Sequence, residues 1–94
     1  MGEDTHAMNT TARQRNVKVY GADWCGMTRR TLAHLDDMGV EYEYINVDHD
    51  TAASEWVKQQ NAGKEKKPTV DIDGRVITYP TNRELEEILG SQVS

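Results

Sequence analysis

The residue best suited to covalent chemistry is Cys25, the one cysteine in a chain of 94 residues. It stands in "ADWCGMT", residues 22–28, between an alternating apolar stretch and the start of a helical pattern. A sulfur at a helix start meets free backbone amides and the positive end of the helix dipole, and both favour thiolate over thiol. The thiolate is the species that attacks disulfides, so this placement makes a nucleophile of an ordinary side chain. Gly26 leaves the first turn uncluttered and permits close backbone approach. Thr28 lies one turn along the same face, where its hydroxyl can donate to the sulfur. Arg29 is four residues on and either adds positive potential or is simply solvated. In a dithiol site a second cysteine would stand where Thr28 does, so the intramolecular resolving step is missing. The competing reading is inert: a lone cysteine commonly packs as a small buried hydrophobe. Asp23 and Gly26 suit an exposed turn instead, and the local context favours a reactive thiol.

Two further segments could serve this sulfur. Pro68 opens a strand, where its missing amide costs the ladder nothing. If the Lys67–Pro68 bond is cis, the Lys67 backbone turns toward Cys25 and offers an edge to an extended, peptide-like thiol; X–Pro composition alone leaves cis and trans open. The start of the last helix, Thr81 to Arg83, presents amides that can hold a carboxylate or simply be capped. His34 is nine residues after Cys25, faces away from it, and is expected at the surface. His6 and His49 lack ligand-spaced partners, so no metal bound by protein side chains alone is expected.

These residues need a frame. "NVKVY" alternates Val17 and Val19 with polar neighbours, as a strand does. From Cys25 onward Met27, Thr31, Leu35 and Met38 form one apolar helical stripe, and Gly39 stops it. "EYEYINV" is a second strand. Asp48 or Asp50 can cap the helix "TAASEWVKQQNAG", whose inward face is Ala53, Trp56, Val57 and Gln60. "PTVDIDGRVITYP" is a hairpin turning at Asp73-Gly74. Thr81 and Glu84 form a capping box ahead of Leu85, Ile88 and Leu89, and Gly90 closes the helix. The order βαβαββα, with one right-handed parallel crossover, gives an α/β fold: a mixed four-stranded sheet flanked by three helices.

Bulk properties limit the partners. Charged residues are 29%, hydrophobic residues 36% and the net charge is -5. That composition is ordinary for one soluble domain, expected over residues 16–94 behind a flexible tail at 1–15. An acidic chain is poorly suited to nucleic acid or an anionic membrane surface. No apolar run reaches the ~20 residues of a membrane span, and the polar start lacks a signal-peptide core. With one cysteine no internal disulfide can form, which fits a reducing cytoplasm.

From about Asn16 to Leu89 the chain resembles the glutaredoxin family of the thioredoxin fold, and within it the mycoredoxin branch. The pieces that carry the likeness are "VYGADWCGMT", "VDHDTAASEWVKQQNAG", "KPTVDIDG" and "ITYPTNRELEEIL", in order and spacing. The resemblance implies that Cys25 is the catalytic nucleophile, supported by Trp24, Gly26, Met27 and Thr28. It implies that Pro68 is a cis-proline, and that a low-molecular-weight thiol, glutathione or mycothiol, lies across Trp24, Lys67, Pro68, Thr81 and Asn82 as co-substrate. The implied activity is monothiol thiol–disulfide exchange on thiolated client proteins, by a monomer with no tightly bound cofactor. Alternatives are a carrier in which two copies share a bridging [2Fe-2S] cluster, and a thiol-binding variant without turnover whose resolving cysteine has been replaced. Thr28 departs from the cysteine of dithiol members and Ala22 from an upstream lysine. Lys67 stands where valine is usual before the cis-proline, and "YPTN" where a double glycine is common.

Overall fold

The computed structural model describes residues 16–90; the tail expected at 1–15, and His6 within it, lie outside the described residues. Four strands and three helices follow the expected order. They are β1 (Val17–Gly21), α1 (Gly26–Asp37), β2 (Glu43–Asn46), α2 (Thr51–Gln60), β3 (Thr69–Ile72), β4 (Arg75–Thr78) and α3 (Asn82–Leu89). The sheet order is β2-β1-β3-β4. β1 runs parallel to β2 through the α1 crossover, and antiparallel to β3, which pairs antiparallel with β4.

Alternation along the central strands sorts the core into two faces. Val17 lies opposite Ile72 and Val19 opposite Val70. All four join Leu35 of α1 and Leu85 and Leu89 of α3 in one buried cluster. Tyr20 and Ile45, which face each other across β1 and β2, point to the other side. There they pack with Val47, Ala53, Val57 and Trp56, so α2 covers that face alone. Tyr20 and Trp56 stack with ring centroids 4.5 Å apart, an offset aromatic contact that adds to simple area burial.

Local chemistry ends each element where a functional loop must begin. α1 stops at Gly39, whose φ of +74° favours glycine. Its amide and that of Val40 return to the Asp36 and Leu35 carbonyls, closing the last turn in a Schellman arrangement. Asp50, rather than Asp48, caps α2 by accepting from the Ala53 amide. Asp73 and Gly74 both take positive φ, as a two-residue type I′ hairpin demands. The Thr81–Glu84 capping box is complete in both directions. Two helix-face expectations are corrected. α1 buries Thr28, Thr31 and Leu35, whereas Met27 is 43% exposed, because the 3.6-residue period carries position 28 onto the face that meets the sheet. Gln60 is exposed, in the last position of α2.

α1 approaches β1 most closely at Gly21. A Cβ there would lie 2.5 Å from both Cγ2 and Oγ1 of Thr28, and Thr28 is fully buried with no room to retreat. Gly21→Ala is therefore expected to destabilise the fold by about 1–3 kcal/mol, the usual range for overpacking. Urea unfolding followed by circular dichroism checks this. The further change Thr28→Ala should recover part of the loss, because only the Cβ contact at 3.0 Å remains.

Candidate active site

Cys25 is the N-cap residue of α1, with extended backbone geometry. Its carbonyl already accepts from the Arg29 amide, and its own amide donates to the Ala22 carbonyl. The sulfur is thus carried past the end of β1 and held at the mouth of the helix. As a thiol it makes no capping hydrogen bond to its own helix; its proton points toward the Lys67 carbonyl, at a long 3.9 Å. As a thiolate it is better served. Burial pushes its pKa up, but the Thr28 hydroxyl, the Thr28 and Met27 amides and the Lys67 ammonium outweigh burial and hold it below the ordinary value of 9.0. These amides belong to the second and third helical positions, the donors an N-cap side chain normally satisfies. Here the acceptor is an ionised sulfur.

Thr28 is what ties the sulfur to the sheet. Its Oγ1 accepts from the Ala22 amide at 3.4 Å, inside the close contact with Gly21, and its proton is directed to Cys25. Gly26 plays a lesser part than its position suggests: a Cβ there would meet only the far end of Arg29, at 4.0 Å. Arg29 itself braces the loop, donating to the Asp23 carbonyl at 2.8 Å.

Lys67 reaches the site from the opposite side, across a cis peptide bond to Pro68. Pro68 is fully buried, and its carbonyl accepts from the Tyr79 amide at 3.0 Å. The Lys67 ammonium lies 5.1 Å from the centre of the Trp24 ring, close enough for a cation–π attraction. It also pairs with Glu65 at 2.9 Å. Glu65 in turn accepts a short hydrogen bond from Ser54 of α2. Asn61, the C-cap of α2, bonds to Thr69 and Thr78. The loop carrying Glu65 and Lys67 is therefore fastened to a helix at one end and to the sheet at the other.

Together Trp24, Cys25, Met27, Glu65, Lys67 and Tyr79 line an open groove of ≈ 490 Å³. Trp24, Met27 and Tyr79 are the large hydrophobic residues left exposed among the described residues, and all three surround the sulfur. The Trp24 indole donates to Asp48 at 2.7 Å, which gives Asp48 a role in place of the helix cap. Tyr44 donates to Asp23 at 2.7 Å; burial, then that bond, raises its pKa and keeps the phenol protonated.

Of the residues singled out from sequence, Trp24, Cys25, Met27 and Lys67 meet in this groove, with Thr28 and Pro68 behind them. Thr81 and Asn82 do not line it. The amide of Thr81 is already taken by the Glu84 carboxylate at 2.9 Å. His34, expected at the surface, is half-buried and stands 3.1 Å from Glu86 of α3. Glu65, Tyr79 and Asp48 were missed. Nothing local in the sequence marks Tyr79 or Glu65 as groove residues. Among the described residues no group of three or more His, Cys, Asp or Glu is placed to hold a metal, and no helix is long and apolar enough to cross a membrane.

The chain is similar to known proteins in both sequence and fold. The glutaredoxin family profile matches residues 17–77. Mycoredoxin 1 of Corynebacterium glutamicum is 45% identical over 71 residues, 74% of this chain and 87% of that protein. Among solved structures, the glutaredoxin of Methanosarcina mazei superposes with a TM-score of 0.68 at 29% identity, over 80% of this chain and 78% of that one. A thioredoxin-like protein, crystallised as a variant, does so with a TM-score of 0.72 at 27% identity, over 80% and 95% of the two chains.

Thr28→Val keeps the shape of the side chain and removes the hydroxyl. The Cys25 pKa is then expected to rise toward 9.0, so alkylation by iodoacetamide should slow at neutral pH and level off only at higher pH. Thr28→Ser should stay near the parent profile. Thiolate absorbance in the far ultraviolet, titrated in all three proteins, provides the check.

Proposed function

The chain belongs to the glutaredoxin family and is a thiol–disulfide oxidoreductase, and we propose that it works with one thiol, Cys25, on mixed disulfides between proteins and a low-molecular-weight thiol. The observation that supports this reading most directly is an ionisable sulfur at a helix N-cap, open to a groove and with no second cysteine in the chain.

The exchange is balanced without a second cysteine. The Cys25 thiolate attacks the small-thiol sulfur of the mixed disulfide; a new S–S bond forms on Cys25 as the S–S bond to the client's cysteine breaks. The client leaves as a thiolate and takes up a proton. A second small-thiol molecule, as its thiolate, then attacks the sulfur bound to Cys25. It departs as the oxidised small-thiol dimer and restores the Cys25 thiolate. Two electrons pass from small thiol to client. Low pKa helps twice, because the same sulfur is attacking group in the first step and leaving group in the second.

Each residue has a task in this cycle. The Thr28 hydroxyl and the helix amides hold the charge on sulfur when the S–S bond is absent. The Lys67 backbone offers a carbonyl beside the sulfur, where an extended thiol can pair. Trp24, Met27 and Tyr79 supply apolar walls. The small thiol is glutathione or mycothiol; the 45% identity to a protein named mycoredoxin favours mycothiol. The groove is complete within one chain, consistent with a monomer, and a reducing cytoplasm suits a lone unpaired cysteine.

In a coupled assay with a small thiol and its reductase, the protein should reduce a peptide mixed disulfide, and Cys25→Ser should lose that activity to background. Reduction of an intramolecular peptide disulfide should be far slower than in a dithiol relative. Equal activity of Cys25→Ser would defeat the proposal.

A further inference from the structure

Charge around the groove is arranged unevenly for a site that receives a small thiol. Within its walls are one carboxylate, Glu65, and one ammonium, Lys67, which are bonded to each other. Lys67 is committed a second time, to the face of Trp24. Glu65 is held by Ser54 and by Lys67, and these two hydrogen bonds lower its pKa, so it stays ionised at neutral pH. Around the rim, Asp48 holds the Trp24 indole and Asp23 holds the Tyr44 phenol. Arg29 is turned back onto the Asp23 carbonyl. At the start of α3 the Thr81 amide is already taken by the Glu84 carboxylate. A carboxylated thiol entering here finds the one cation of the groove walls already paired, and meets the Glu65 carboxylate in addition to the Cys25 thiolate.

From this arrangement we infer that Glu65 is a specificity-determining residue, a charge filter that disfavours anionic thiols relative to uncharged ones. It acts by occupying Lys67, the one cation in the groove walls, and by adding its own negative field. An uncharged thiol gives up nothing to either effect. The inference rests on the thiol-exchange reading above and deepens it.

The test needs only the first covalent step, in which the Cys25 thiolate attacks a symmetric disulfide, forms a mixed disulfide and releases one thiolate. Second-order rates would be measured by mass spectrometry with oxidised glutathione, which is anionic, and with 2-hydroxyethyl disulfide, which is neutral. Comparing the ratio of the two rates cancels any change in thiolate content common to both. In Glu65→Gln, which keeps hydrogen-bonding atoms toward Ser54 and Lys67, the glutathione-to-neutral ratio should rise about fivefold, as expected for removing one unit charge at partly screened range. In the unaltered protein the same ratio should rise with salt, since the Debye length falls to about 3 Å at 1 M. That measurement needs no variant to fold. A ratio unchanged in Glu65→Gln, or insensitive to salt, overturns the filter while leaving thiol exchange intact. Failure of Cys25 to react with either reagent overturns the proposed function, and the filter with it.

Discussion

The close approach of α1 to the end of β1, at Gly21 and Thr28, is the constraint on which the site depends. Only a residue without a side chain can stand at Gly21, because Thr28 occupies the space a Cβ would need. With α1 seated there, the loop between strand and helix has four residues in which to turn. The N-cap then falls at Cys25, and the sulfur at the one end of the helix where a negative charge is stabilised. A helix seated farther from the sheet would move the hydroxyl and both amides away from the sulfur together. Packing and reactivity are in this sense one arrangement.

The replacement of a second thiol by Thr28 takes on a definite physical meaning in this setting. A hydroxyl at that position is buried, bonded to the Ala22 amide, and able to donate to Cys25. It cannot attack a mixed disulfide, because an alcohol at neutral pH is a poor nucleophile toward sulfur. Activation of the first sulfur and resolution of its disulfide are separable, and this chain retains the groups for the first. In the proposed one-thiol cycle the second falls to a thiol from solution, for which an open groove is suited.

Carboxylates are distributed with the same economy. Asp50 caps α2, Asp48 orients Trp24, Asp23 holds Tyr44, Glu84 closes the capping box of α3, and Glu65 engages Lys67. Four of these carboxylates take neutral donors, and Glu65 takes Lys67, the one cation in the groove walls. The apolar exposure at Trp24, Met27 and Tyr79 completes a surface suited to a neutral ligand with some hydrophobic character.

Much of this was legible along the chain. Alternation in "NVKVY", the Asp73-Gly74 turn, the Thr81–Glu84 box and the placement of Cys25 at a helix start are all local signals. Each arises from residues within a turn of one another, so backbone preference alone sets them. The order of elements, the mixed sheet and the reactive sulfur followed from them. What the sequence could not give was which of two neighbouring groups wins a contact. Met27 and Thr28 differ by one position, and only docking on Gly21 decides which is buried. Asp48 and Asp50 both could cap α2, and only the indole arriving from the first loop assigns Asp48 elsewhere. Nothing in the local sequence marks Glu65 as a partner of Lys67 at the groove, because Lys67 is 42 residues from Cys25 along the chain and the two meet only once the chain has folded back. Sequence by itself determined the elements and the place of Cys25 at a helix start, because these depend on neighbours a few residues apart. The tertiary structure alone decided the cis geometry at Pro68, the pairing of Lys67 and the charge of the groove, because these depend on side chains that meet only after the sheet has formed.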